Sequence, residues 1–241
     1  MAKYGSNSVA FFLIAGYDVT GVSTSLSDVT TANLEETTGL GDAWQEQTST
    51  GIRVAELTAE GFYNDGTASI DAALSGSQQT SKVVSYTYEG GAEFTKMISH
   101  EGVFAGSYTR TPTRGELTKA NGAYTVTGTK DDSLLMLPLA SYTATGSGSA
   151  NLWPDGETSS AGAAGVLQVT TVTGTSPTLD VKLRDSADNI TYADLITFTQ
   201  ATGRTAERKT VSGTVNKYVQ VTYTIGGTAP NFTAVVGFAR G

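Results

Sequence analysis

The chain has 241 residues, 39% of them hydrophobic and 16% charged, with 28 Gly and a formal net charge of −8. Its charged share falls below the ~25% usual in soluble domains, and Thr, Ser and Gly fill the difference, which favours an all-β protein of many short strands. An acidic balance argues against gripping a nucleic-acid backbone, which takes Lys and Arg. The lack of cysteine excludes disulfides, thiolate metal sites and cysteine nucleophiles.

Along the chain, Lys3 precedes the apolar run VAFFLIA (residues 9–15). That run sits at the short limit of a secretory signal and lacks a small-x-small cleavage site, so it reads as a buried first strand. No segment reaches the ~20 apolar residues of a membrane-spanning helix, and no membrane insertion is expected. Strands are expected at 19–26 and 52–62, the second with a phase shift at Val54 and Ala55 that suggests a bulge. After the Asp65-Gly66 turn, Ile70, Ala73 and Leu74 fall at helical spacing, which predicts one short helix. Further strands are expected at 82–88, 93–99, 103–109, 123–129 and 134–140. Pro138 demotes the last to an edge strand or a strand end.

The stretch TATGSGSANLWPDGETSSAGAAG (residues 143–165) lacks strand periodicity and carries the turn signal Pro154-Asp155-Gly156. It divides the chain into a first domain at 1–145, a linker at 146–164 and a second domain at 165–241. In the second, Leu179, Val181 and Leu183 alternate with Asp180, Lys182 and Arg184. Val219, Val221, Tyr223 and Ile225 alternate likewise, as do Phe232, Ala234, Val236 and Phe238. With strands at 166–172, 195–198 and 208–211, this spacing predicts a β-sandwich.

Chemistry-bearing motifs are sparse. His100 is the only histidine; without histidine partners it reads as a residue at a strand end or a subunit contact. Carboxylates group at Glu35-Glu36, Asp131-Asp132 and around Asp185, Asp188 and Asp194. The last group, with Asn189, offers oxygen ligands of the kind calcium takes, yet Asp and Asn also serve as turn residues. No nucleophile elbow, P-loop or dinucleotide fingerprint occurs, so no catalytic residue, metal or cofactor is assigned. Trp153, beside the Pro-Asp-Gly turn, is either a glycan-stacking surface or packing between the two halves.

One longer pattern stands out in residues 16–63, GYDVTGVSTSLSDVTTANLEETTGLGDAWQEQTSTGIRVAELTAEGFY. A short turn leads into an alternating Ser/Thr strand, a Thr-Gly-x-Gly-Asp loop bearing Trp44, and an amphipathic strand. Together with RGELTKANGAYTVTGTKDDSLLMLPLA (residues 114–140), it resembles the tail tube (major tail) proteins of long-tailed bacteriophages. The resemblance implies a twisted β-sandwich or partial barrel with one flanking helix, assembled as stacked homohexameric rings that conduct genomic DNA without specific binding. It also implies contact with other tail proteins, a place in the virion after assembly in the host cytoplasm, and no enzymatic activity. Residues 30–49 would then form the ring-to-ring loop, with Gly39, Gly41 and Asp42 shaping its turn and Trp44 as its apolar anchor. VTGTSPTLDVKLRDSADNITYADLITF and VNKYVQVTYTI resemble the immunoglobulin-like or jelly-roll appendages of phage tails, a module on the tube exterior able to touch host surface glycans. A capsid decoration protein and a carbohydrate-binding surface protein are the alternatives.

Overall fold

The computed structural model describes residues 8–38, 44, 47–64, 66, 69–74 and 80–241. These form an almost entirely β structure, one antiparallel sheet with a single short helix. The first strand, β1 (Phe12–Ile14), turns through Ala15 and Gly16, both at positive φ, into β2 (Tyr17–Asp18). Two central residues at positive φ are what a tight hairpin with right-handed strand twist requires. Phe12 and Ile14 enter one hydrophobic cluster while Phe11 and Leu13 enter another. Both faces of the strand are buried, which is why its sequence is apolar without alternation.

Two long strands follow, β3 (Ser23–Glu36) and β4 (Gln47–Phe62), paired from Ser23↔Gly61 to Glu36↔Gln47. The helix α1 (Ile70–Leu74) is capped by Ser69, whose Oγ accepts from Ala72 N at 3.1 Å, and it buries Ile70, Ala73 and Leu74. Next come β5 (Lys82–Tyr86), β6 (Lys96–Thr111), β7 (Lys119–Val126) and β8 (Lys130–Tyr142). The expected strands at 93–99 and 103–109 are one strand that changes partners, pairing β8 through residues 96–100 and β7 through residues 103–111. At the change of partner, Gly102 adopts φ +69, and a Cβ there would stand 2.5 Å from Gly128 N. Pro138 lies inside β8 rather than at its end. The β8–β14 register shifts beside it, between Leu137 and Ala140, so the bulge absorbs the missing N–H.

The short strands β9 (Gly146–Ser147) and β10 (Asn151–Leu152) lie in the Gly/Ser-rich stretch. Beyond it run β11 (Ala163–Ser186), β12 (Ala193–Thr197), β13 (Thr205–Val211) and β14 (Tyr218–Arg240). Four expected strands thus merge into two, β11 and β14, paired along their whole length with register shifts between Val169 and Thr178. The ribbon folds back on itself at those shifts: a Cβ on Gly165 would meet Leu183 Cδ1 at 2.5 Å, within the same strand. The sandwich is therefore one bent ribbon, closed over Leu167, Val169, Leu179, Val181, Leu183, Val221, Phe232 and Phe238.

The two halves of the sequence share a sheet. β14 pairs with β8, and Leu135 and Met97 pack with Val166 and Val235 in one cluster. Gln168, fully buried on β11, accepts from Gly16 N at 2.8 Å and donates to Ser85 Oγ at 2.7 Å.

Candidate assembly surface

The first half carries an arm. β7 covers β4 only from Ala55 to Phe62, so beyond Val54 the strands β3 and β4 pair with each other alone. Every described side chain at 29–36 and 47–54 is exposed. Most are Ser, Thr, Glu or Gln, but Val29, Leu34 and Val54 also face water, and Trp44 at the tip is 84% exposed. The register of the arm shifts between Ala32 and Leu34 opposite Gly51, which takes φ +79. The bulge sits there and not at Val54–Ala55, because glycine alone takes that backbone without strain.

The root of the arm is fixed by one carboxylate. Leu26, Asp28 and Thr30 share the phase of β3 that pairs with the inward residues Ala59, Leu57 and Ala55. The Asp28 side chain is 4% exposed and receives donors from three strands. Tyr86 of β5 donates its hydroxyl, Lys130 of β8 reaches Oδ2 at 2.7 Å, and His100 Nε2 of β6 stands 3.3 Å away. Burial alone would raise the Asp28 carboxyl, but the hydrogen bonds from Lys130 and Tyr86 and the nearby positive charge hold it below its ordinary value. Burial pushes His100 below the usual imidazole range, and the attraction of Asp28 does not recover it. Tyr86 is driven far upward by burial and the adjacent carboxylate. At neutral pH the root thus holds an ionised Asp28, an un-ionised Tyr86 and a neutral His100.

A second ionic node joins the halves. Arg208 of β13 clasps Asp131 of β8 with two bonds at 2.6 and 2.9 Å and reaches Glu101 of β6 at 2.9 Å. Near the root lies an open cleft of about 560 Å³, walled in part by Tyr88, Met97, Leu134 and Trp153. The Trp153 ring meets Phe238 edge-on at 5.3 Å, and the Arg240 guanidinium sits 5.5 Å over the indole.

The sequence-expected residues fall in different places. Gly39, Gly41 and Asp42 lie outside the described residues. Trp44 and Trp153 belong to separate features, the arm tip and the cleft. His100 is buried within β6 rather than at a strand end, and its partner is Asp28. The grouped acids around residues 185–194 are engaged by the protein itself. Asp185 accepts from Asn216, Asp188 caps its own turn through Ile190 N and Thr191 N, and Asp194 pairs with Lys182 and Arg184. Asp28 and Arg208 were missed. The usable signal for Asp28 was a carboxylate in the inward phase of an alternating strand, which demands a buried partner.

No protein-family model matches the sequence, and no curated protein matches it. Among solved structures, the tail of an empty gene transfer agent particle with C6 symmetry aligns with TM-score 0.42 and 14% identity, covering 54% of this chain and 98% of that one. The virion of a native gene transfer agent particle gives 0.39 and 15% over 54% and 97%. The Dit protein (gp 19.1) of phage SPP1, described as a hub adsorption apparatus protein, gives 0.37 and 12% over 95% and 98%. These are distant likenesses and carry no role to this chain.

Proposed function

We propose that the chain is a structural, non-catalytic subunit of a bacteriophage-type tail, which assembles with itself into hexameric rings that stack into a tube. The observation that carries this reading is the arm. A two-stranded ribbon with both faces in water is marginal by itself. Here it is nonetheless rooted by a buried carboxylate held from three strands, while Val29, Leu34, Val54 and Trp44 stand uncovered. Apolar groups held out on a fixed ribbon are suited to cover by a protein surface. The resemblance of residues 16–63 and 114–140 to tail tube proteins supports a second copy as that surface. The net charge of −8 leaves the chain as a whole no excess of cations to hold phosphates, which suits a conduit along which DNA slides without adhering. Other tail proteins would meet the ends of the tube, and the β11–β14 sandwich would decorate its outside.

Negative-stain electron microscopy of the purified protein across a concentration series, beside size-exclusion chromatography, tests this. Stacked rings with an open pore are the expected result. Single rings that never stack would mark a terminal or junction subunit. A monomer at every concentration, with or without tail fragments as seeds, would overturn the reading.

A further inference from the structure

The second half carries one short motif twice. Gly174-Thr175-Ser176-Pro177 lies within β11 and Gly227-Thr228-Ala229-Pro230 within β14. The backbone repeats with the sequence: the glycines take φ +116 and +107, and Ser176 and Ala229 both take φ +48. Pairing across the ribbon is symmetric about Thr175↔Thr228, with Thr173↔Asn231 on one side and Thr178↔Gly226 on the other. The buried rows beyond the prolines match as well, Leu179, Val181 and Leu183 in β11 and Phe232, Ala234 and Val236 in β14.

Each glycine is a socket for the other motif. A Cβ on Gly174 would stand 2.8 Å from Ala229 O and 2.9 Å from Pro230 Cα, and one on Gly227 would stand 2.7 Å from Ser176 O and 2.9 Å from Pro177 Cα. Only glycine permits both the positive φ and the close approach. Ser176 and Ala229 hold a left-handed backbone that residues with a Cβ rarely adopt, and the proline after each disfavours the right-handed alternative. Such conformations persist where the surroundings over-determine them. Here each motif is the other's surroundings.

We infer that the two segments form a reciprocal clasp, which folds the β11–β14 ribbon and holds it at a fixed angle. Ahead of the corner β11 pairs with β13 and beyond it with β12, while β14 changes from β9 and β10 to β8 at the same level. The clasp is thus the joint between the layer tied to β8 and the layer that faces it. It is a rigid elbow and not a hinge, because neither strand can straighten without lifting Ser176-Pro177 or Ala229-Pro230 from the opposing glycine. It lies within one chain and asks nothing of assembly.

Urea unfolding of Gly174→Ala, Gly227→Ala and the double variant tests the clasp. Each single substitution should lower the midpoint by a similar amount. The double should lower it by less than the sum, since the first has already opened the contact that the second would break. Ala229→Gly and Ser176→Gly approach from the other side: each relieves a left-handed backbone without adding an atom, so their folding is not in question. Followed by hydrogen exchange with mass spectrometry, Ala229→Gly should slow exchange over residues 174–177, as well as at its own corner, by about 2- to 5-fold. Ser176→Gly should do the same for residues 227–230. Additive midpoint shifts, or exchange that changes only on the substituted strand, would overturn the clasp and leave two independent bends.

Discussion

One aspartate, Asp28, ties the root of the arm to three neighbouring strands. Asp28→Ala leaves Lys130 and the Tyr86 hydroxyl facing an empty site, and breaking a buried ion pair from one side should cost about 3 kcal/mol, read by urea denaturation. Asp28→Asn keeps an acceptor for both donors and should cost less. The pH dependence follows from the same site. Asp28 is held below 3.8 and His100 below 6.5 in the folded protein, so each binds fewer protons folded than unfolded. Stability is therefore full above the unfolded imidazole value and falls as pH drops through it, with a further fall as pH drops below the unfolded carboxyl value. His100→Gln should remove the first step and spare the second. A wild-type stability curve that is flat from about pH 7 to pH 5 would count against a neutral buried His100. Sequence made His100 conspicuous as the sole histidine, but its partner lies 72 positions away, and no local pattern records such a meeting.

At the scale of elements, glycines set where strands bend. Gly102→Ala places a side chain at φ +69 with its Cβ 2.5 Å from Gly128 N. Backbone cannot retreat as a flexible side chain can, so the loss should exceed about 2 kcal/mol in thermal or urea unfolding. Gly51 also has positive φ but open space around it, so Gly51→Ala should cost only the conformational term, about 1 kcal/mol. Amides of β3 and β4 beyond Val54 should exchange fast in the isolated subunit, where only their mutual pairing protects them, and slow markedly on assembly. Protection in the isolated subunit equal to that of β6 would show that the arm needs no partner. Alternation revealed most strands, since a half-buried sheet writes a period of two into the sequence. It did not reveal that 93–99 and 103–109 form one strand, or that Pro138 lies within another. Bulges break the period at those places, and a broken period reads as an end.

For the molecule as a whole, the stretch that composition marks as a divide is spanned by hydrogen bonds. β8 pairs with β14, Gln168 bonds both Gly16 and Ser85, and Arg208 clasps Asp131 and Glu101. Unfolding followed by far-UV circular dichroism and by tryptophan fluorescence should therefore show one coincident transition. Two separated transitions would mean that the halves fold independently. Gln168→Leu strands the buried Gly16 N–H and should lower stability by about 2 kcal/mol.

The sequence by itself determined the β class, the short helix, the inward rows of the second half and the absence of cysteine chemistry. Each of these follows from local conformational preference or from composition, and both are written residue by residue. Only the tertiary structure decided that the two halves share a sheet, that the sandwich is a single ribbon folded back on itself, and that Asp28, Tyr86, His100 and Lys130 meet. Those outcomes depend on which distant strands pair and in what register. Pairing energy is shared between segments far apart in the chain, so neither segment alone carries the information.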